Sequence, residues 1–133
     1  DGTTPDPDVP ALSVGFRGVA ALQVDVSGPA TDLHSGMYGG TVQNSLHALL
    51  RIMDSMHAQD GTVSVDGFYD DVIALTEEAK REIAAVPFDE ADMISATGVN
   101  ELFGDPRFTP RERVWARPTL EINGMWGGFK AKV

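Results

Sequence analysis

The sequence predicts an α+β fold, a two-layer sandwich in which a small, mostly antiparallel sheet carries helices on one face. Apolar and polar residues alternate in two segments, after Gly18 and after Val114, as they do in strands with one buried face. Between these segments, apolar residues recur at helical spacing after Thr41. The resulting order of strand, helix, strand, two helices and strand is typical of helices that cover one face of a sheet.

The amino-terminal segment predicts a linker and then a strand. Its first ten residues include three prolines and three aspartates, which block a regular helix and suit a loop. From Gly18 onward, alternate residues form an apolar strand face, namely Ala20, Leu22, Val24 and Val26. Gly28 and Pro29 end this strand, and the glycine-bordered segment after them is predicted to be a loop.

The central part of the chain predicts three helices. Thr41 is the expected cap of the first and longest, whose apolar face is formed by Val42, Leu46, Leu49, Leu50, Met53 and Met56. The second starts at Thr76, because the acidic residues that follow complement the helix dipole, and it ends before Pro87. The third covers residues 90–96, with Gly98 in the usual stop position.

Two more strands complete the predicted sheet. Residues 61–65, GTVSV, form a short strand with Val63 and Val65 facing inward, and a last strand starts at Val114 after a charged loop over residues 107–113. The edges of such a sheet carry unpaired backbone groups. The sequence therefore also predicts a weak dimer, through sheet edges or through the long helix.

The composition excludes several classes of function. Ten Lys and Arg against twenty Asp and Glu give a net charge of −10, and the basic residues are scattered, which argues against nucleic acid as a partner. The chain has no cysteine, and therefore neither disulfides nor a thiolate zinc site. No apolar run reaches the roughly 20 residues that span a bilayer, so no membrane partner is predicted and a cytoplasmic location is compatible. The first residue is not Met, and we expect the chain to be an internal piece of a longer protein.

Local motifs do not assemble a self-contained active site. The sequence lacks an HExxH helix, a GxSxG elbow, a phosphate-binding glycine loop and a cysteine nucleophile. His47 and His57 do not share one face of a helix, as a metal pair requires, and are predicted to be solvated. His34, in DLHSGMYGG, lies in a loop with Asp32 and Ser35 near it. From spacing alone it either orders that loop or takes part in a site.

Three segments together resemble one known domain. The runs GFRGVAALQVDVSGPATDLHSGMYGGTVQNSLHALL, DGFYDDV and WARPTLEINGMWGGF closely resemble the lid, or dimerisation, domain of the carnosinase-like dipeptidases, and the similarity covers nearly the whole chain. Those enzymes belong to the clan of two-zinc metallopeptidases and deacylases that includes aminoacylase and carboxypeptidase G. The resemblance implies that residues 1–15 form a linker from a catalytic domain and that residues 16–133 form the lid.

The resemblance also implies an activity for the longer protein. It implies a zinc metallopeptidase that hydrolyses dipeptides or related amides, whose catalytic domain holds two zinc ions and whose lid pairs with a second copy of the chain. His34 corresponds to the histidine that enters the active site of the partner subunit and stabilises the oxyanion of the scissile carbonyl. The chain alone is then expected to be inactive and to bind no zinc.

The resemblance also implies roles for further residues. Asp1 stands where these enzymes have a zinc-binding aspartate. Arg117 stands near an arginine that binds the substrate carboxylate, with Arg113 as its rival, and Asn100 is a weaker candidate for substrate binding. The alternative for Arg117 is an ion pair on the surface, with Glu112 or Glu121.

The carboxyl end departs from the resemblance. After WGGF, which ends at Phe129, the family continues with a linker, a lysine-threonine stretch, a strand and a helix, whereas KAKV follows here. The lid is therefore expected either to be truncated or to have lost residues between Phe129 and Lys130, and in both cases to lack an element of its sheet. A function of another class stays open, in which the segment is a non-catalytic dimerisation module.

Overall fold

The computed structural model describes residues 12–13 and 15–129. Regular structure in this part of the chain is helical, and the helices are α1 (Ser35–Tyr38), α2 (Ser45–Ser55), α3 (Glu77–Ala85), α4 (Glu90–Thr97) and α5 (Pro110–Ala116). No strand is formed within the described residues, where the one β-bridge is antiparallel and joins His57 to Val63. None of the described helices combines the length and the apolar character needed to cross a membrane.

The predicted α+β sandwich with a small antiparallel sheet is therefore wrong. The segment after Gly18 is irregular, and its apolar side chains face solvent, since Val19 is 97% and Leu22 is 95% exposed. The physical reason is that a strand satisfies its backbone only through a neighbouring strand, whereas a helix satisfies its own. Alternating apolar residues mark a segment that suits a sheet, but no described segment pairs with this one.

The predicted strand over residues 61–65 is a turn with one buried side chain. Asp60 Oδ1 accepts hydrogen bonds from the Oγ1 and the backbone N–H of Thr62, at 2.7 and 3.0 Å, and these bonds hold the pKa of Asp60 below its ordinary value. The predicted inward position of Val63 is confirmed, because its side chain is 8% exposed. Val65 is 41% exposed, so its predicted inward position is wrong.

Helix α2 begins at an asparagine cap rather than at the predicted threonine. Asn44 Oδ1 accepts a hydrogen bond from Leu46 N–H at 2.8 Å, which satisfies a backbone donor of the first turn. Thr41 instead donates from its Oγ1 to the Tyr38 carbonyl at 2.8 Å, in the turn that follows α1. The predicted apolar face is half-buried at four positions, Leu46, Leu49, Met53 and Met56.

The predictions for the next two helices are confirmed. Thr76 caps α3, with its Oγ1 accepting from Ala79 N–H at 3.1 Å, and α3 ends before Pro87. Helix α4 starts after Asp89 and ends at Gly98, whose φ of 72° lies in the left-handed region that favours glycine. Each helix starts after a residue whose side chain accepts a hydrogen bond from a backbone N–H of the first turn, so the local sequence is enough to predict both helices.

Residues 107–113, predicted to be a loop, contain the start of α5, and that prediction is wrong. Thr109 Oγ1 accepts from Glu112 N–H at 3.3 Å, and Glu112 Oε2 accepts from Thr109 N–H at 2.7 Å, so the two residues form a capping box. Pro110 occupies the first helical position, where its missing N–H needs no partner. Helix α5 packs against α3, and Val114 lies inside α5 rather than at the start of a strand.

Candidate functional site

His34 caps the short helix α1 with its own ring. Its Nδ1 accepts a hydrogen bond from Gly36 N–H at 3.0 Å, and its carbonyl accepts from Met37 N–H and Tyr38 N–H at 3.0 and 3.1 Å. The backbone of His34 is extended, with φ −72° and ψ 118°, as is usual for a capping residue. The side chain is exposed. The segment DLHSG is therefore the start of a helix rather than the predicted loop.

The capping bond determines which ring nitrogen of His34 donates. A neutral imidazole carries its proton on one nitrogen and accepts on the other, and Nδ1 of His34 is the acceptor. The proton of the neutral ring is therefore on Nε2. An imidazole held in this way presents one N–H donor to an acceptor outside this segment, such as a carbonyl oxygen.

Arg117 contacts two aromatic rings. Its Cζ is 4.4 Å from the ring centroid of Phe108 and 5.3 Å from that of Tyr69, and its side chain is half-buried. Within residues 12–13 and 15–129 its guanidinium forms no ion pair, so the predicted surface pair with Glu112 or Glu121 is not formed there. Aromatic rings thus hold the position of a guanidinium that has no carboxylate partner in the described chain.

Arg113, the rival of Arg117, uses its donors within the fold. Its Nε donates to the Phe108 carbonyl at 2.9 Å, and its Nη1 donates to the Phe103 carbonyl at 3.0 Å. Its aliphatic chain packs over Gly104, where an added Cβ would lie 3.1 Å from Arg113 Cδ. These contacts join α5 to the loop before it, so Arg113 has a structural role.

Sequence reasoning does not identify Asp105, a carboxylate that is only 9% exposed. It accepts hydrogen bonds from Nη2, Nε and the backbone N–H of Arg107, at 2.6, 2.8 and 3.0 Å, and the side-chain bonds are the main reason that the pKa of Asp105 is below its ordinary value. The charge of Arg117 lowers the pKa further. The one sequence signal is the spacing in Asp-Pro-Arg, where an aspartate can accept from the backbone two residues later.

The structure does not bring the predicted site residues together through hydrogen bonds. Asn100 is exposed in the segment after α4, and no hydrogen bond among the described residues links it to His34 or Arg117. Asp1 lies outside the described residues. Nor do the described residues contain a group of three or more His, Cys, Asp or Glu side chains placed to hold a metal.

The two remaining histidines differ from each other. His47 on α2 is exposed, as predicted. His57 is half-buried, and its Nε2 lies 2.9 Å from the Leu120 carbonyl, so the prediction of a solvated ring is wrong for His57. This contact ties the residues after α2 to the segment that follows α5.

His34 borders an apolar groove. The groove lies between residues 19–29 and residues 118–129, and α2 contributes to its lining. Strongly exposed apolar side chains line it, of which Leu22 is 95% and Trp126 is 77% exposed. A groove lined by exposed apolar side chains is typical of a site that contacts further protein or a ligand.

Comparison with known proteins relates the chain to a family. The sequence matches the family described as peptidase dimerisation domain over residues 14–133. The Cys-Gly metallodipeptidase dug1 of Schizosaccharomyces pombe is 34% identical over 121 residues, which are 90% of this chain and 25% of that protein. The chain spans about a quarter of the length of the curated relatives it matches.

Two solved structures resemble the chain in three dimensions. The di-peptidase Dug1p of Saccharomyces cerevisiae has a TM-score of 0.65 and 31% sequence identity, over 80% of this chain and 22% of that one. Human carnosine dipeptidase 1 has a TM-score of 0.68 and 27% identity, over 80% of this chain and 23% of that one. These matches confirm the resemblance to the dimerisation domain of dipeptidases. The chain belongs to the peptidase dimerisation domain family.

Proposed function

We propose that this chain is the lid and dimerisation segment of a longer metallopeptidase that hydrolyses dipeptides or related amides, with residues 16–133 as the lid and residues 1–15 as a linker to the catalytic domain. The similarity to proteins named as dipeptidases supports the reaction class. The observation that carries the proposal is the exposed ring of His34, which Gly36 N–H holds so that Nε2 is its donor. The partners are a second copy of the chain, the catalytic domain and the dipeptide.

In this proposal His34 donates a hydrogen bond to the scissile carbonyl in the active site of the partner subunit. As the carbonyl oxygen becomes an oxyanion, an N–H donor aimed at it stabilises the developing charge. Loss of one such donor costs about 100- to 1,000-fold in kcat. The ring is exposed in this chain, as is required of a group that acts on a second chain.

Arg117 binds the carboxylate of the dipeptide. A guanidinium matches a carboxylate with two parallel hydrogen bonds, and Arg117 has no carboxylate partner among the described residues. We assign the role to Arg117 rather than to Arg113 because Arg113 already donates from Nε and Nη1 to two carbonyl groups of the fold, which fixes its side chain in a structural position. Asn100, exposed after α4, adds a second polar contact to the substrate.

Replacing Arg117 with Lys tests this assignment, because an ammonium cannot reproduce the two parallel bonds. We expect Arg117→Lys to raise KM for a dipeptide about tenfold in the longer protein. The matched control is the corresponding dipeptide amide, which lacks the carboxylate and whose KM should change little. An equal rise for both substrates would count against a contact between Arg117 and the carboxylate.

The metal ions of the proposed enzyme bind elsewhere, because the described residues contain no cluster suited to a metal. We propose zinc, with two ions in the longer protein and Asp1 as the one ligand that this chain adds. A single carboxylate does not make a zinc site, so the chain by itself binds no zinc and is inactive. The described residues contribute hydrogen-bond donors to the reaction rather than metal chemistry.

Turnover by the longer, zinc-loaded protein tests the role of His34. We expect His34→Ala to lower kcat for a dipeptide about 100-fold or more with little change in KM, because a contact made in the transition state is lost. His47→Ala removes an exposed histidine on α2 and is the matched control, with unchanged kcat. Light scattering checks that the proteins are equally dimeric. Unchanged turnover in His34→Ala would favour the non-catalytic dimerisation module.

Mixed dimers test whether His34 acts across the subunit interface. A dimer of one His34→Ala subunit and one Asp1→Ala subunit contains one complete site if the histidine acts on the partner, and none if it acts within its own subunit. Random mixing of the two variants should then restore about a quarter of the unmodified activity. No recovery on mixing would rule out action across the interface.

A further inference from the structure

We propose that Gly36 is a positioning residue, whose lack of a side chain lets the ring of His34 sit over the start of α1 with Nε2 as its donor. This inference rests on the proposed function, in which Nε2 meets the scissile carbonyl. It places a steric requirement on a residue that does not itself touch the substrate.

The requirement follows from the close approach of the two residues. A Cβ built on Gly36 would lie 2.8 Å from His34 Cε1 and 3.1 Å from His34 Nδ1, and the first distance is well inside the contact distance of two carbon atoms. The same ring accepts from Gly36 N–H at 3.0 Å. Any side chain at residue 36 therefore turns the ring away and breaks the bond that keeps the proton on Nε2.

Backbone conformation does not explain this glycine. Gly36 is not among the glycines with positive φ, whereas its neighbour Gly40 has a φ of 82°. Gly36 lies within α1, and inside a helix alanine is more favourable than glycine. Helix stability alone would favour alanine here, and the contact with His34 is the feature that favours glycine.

Two alanine substitutions separate this contact from the general effect of replacing glycine. Gly36→Ala is the test variant, and Gly18→Ala is its control, because a Cβ on Gly18 meets no atom within 4 Å and Gly18 has no positive φ. Since the helix propensity of alanine offsets the loss of the capping bond, we expect Gly36→Ala to melt at a temperature close to that of the unmodified protein. Any loss of function in Gly36→Ala is then not a loss of folding.

The first measurement reads the ring of His34 directly. Long-range ¹H–¹⁵N correlation of histidine-labelled protein distinguishes the protonated ring nitrogen from the other one, and the His34 signals are assigned by their absence in His34→Ala. At about pH 8–9, where imidazoles are neutral, we expect Nε2–H to predominate in the unmodified and Gly18→Ala proteins. Gly36→Ala should show a mixture of tautomers. Identical tautomer populations in Gly36→Ala and the unmodified protein would overturn the inference.

The second measurement is the turnover of the longer protein. We expect Gly36→Ala to lower kcat about tenfold or more at unchanged KM, and the double variant with His34→Ala to match His34→Ala alone, because Gly36 acts only through the ring. If His34→Ala lowers kcat and Gly36→Ala does not, the positioning role is wrong and the proposed function stands. If His34→Ala leaves kcat unchanged, the proposed function fails. The tautomer measurement then still tests whether Gly36 positions the ring of His34.

Discussion

Asp105 has a buried carboxylate whose hydrogen bonds within the described chain all come from one arginine. It accepts its hydrogen bonds from Arg107, whose side chain is itself 65% exposed, so the pair lies at the surface with only the carboxylate shielded. Arg117 is close enough for its charge to lower the pKa of Asp105 as well. Asp105 therefore neutralises Arg107, the cation near the proposed carboxylate-binding arginine, whereas Arg117 forms no ion pair among the described residues.

The pH dependence of stability tests the pairing of Asp105. Because folding holds the pKa of Asp105 below its unfolded value of about 3.9, the carboxylate contributes stability that is fully present above about pH 4 and is lost as the pH falls through the lowered folded pKa. We expect Asp105→Asn to reduce the free energy of unfolding by roughly 1–2 kcal/mol at pH 7. The difference from the unmodified protein should shrink below about pH 4.

Urea unfolding at several pH values measures both quantities for Asp105→Asn. Asp66→Asn, at an exposed carboxylate, is the control, and it should change the free energy of unfolding little at any of these pH values. A difference for Asp105→Asn that stays constant from pH 7 to about pH 3 would contradict the role of its charge.

The helix caps show how far local sequence signals reach. At α3 the cap is predicted correctly, because Thr76 and its acidic neighbours are the only strong start signal nearby. At α2 two residues of similar chemistry compete, and Thr41 is not the cap because its hydroxyl donates to the Tyr38 carbonyl in the turn after α1. At α5 a charged, proline-containing stretch resembles a loop, although the capping box at Thr109 starts a helix there.

Substitution of the two competing caps tests the start of α2. We expect Asn44→Ala to reduce the free energy of unfolding by about 1 kcal/mol, because the Leu46 N–H loses its acceptor. Thr41→Ala is the matched comparison and should cost clearly less, since its hydroxyl bonds only the carbonyl of an exposed turn. Urea unfolding followed by circular dichroism measures both. A larger loss in Thr41→Ala would mean that α2 starts at Thr41 instead.

The described chain covers few of its apolar side chains. Val63 is its one buried apolar residue, whereas Leu22 and Trp126 beside the groove are 95% and 77% exposed. A domain of this size commonly buries about two-thirds of the surface that its unfolded chain exposes. The described residues thus leave apolar surface for further protein to cover, which agrees with a dimerisation domain that spans about a quarter of its relatives.

Self-association of the chain tests whether helix α2 is a dimer surface. Because the described residues form no sheet edge, the long helix α2 is the predicted dimer surface that is left, and Leu50 on it is 50% exposed. We expect light scattering to give a mass that rises with concentration toward twice 14.2 kDa. Leu50→Glu should weaken the dimer at least about tenfold, because a charge replaces an apolar contact.

Val114→Glu is the matched control for Leu50→Glu, since Val114 is 51% exposed on α5, and it should leave the dimer intact. The two variants place the same charge at equal exposure on different helices. A monomer at every concentration, or equal weakening by both substitutions, would exclude α2 as the dimer surface.

Sequence pattern was sufficient at some positions where the deciding contact lies within a few residues, although it missed the equally local caps at Asn44 and Thr109. The caps at Thr76 and Gly98 and the family motif around His34 are of this kind. Their chemistry is complete in the local chain, because a hydroxyl meets the N–H of the next turn and a glycine takes the left-handed conformation. The helices α3 and α4 and the family were predictable for that reason.

Contacts between more distant parts of the chain decided the fate of the predicted sheet and the roles of the two candidate arginines. The predicted sheet failed because a strand needs a partner strand, and the pattern after Gly18 carries no information on whether one lies beside it. The sequence favours Arg117 with Arg113 as its rival, and the structure separates them because Arg113 meets two carbonyl groups whereas Arg117 meets the rings of Phe108 and Tyr69. The sequence specifies the type of each side chain, whereas tertiary packing determines which hydrogen-bond acceptors and aromatic rings surround it.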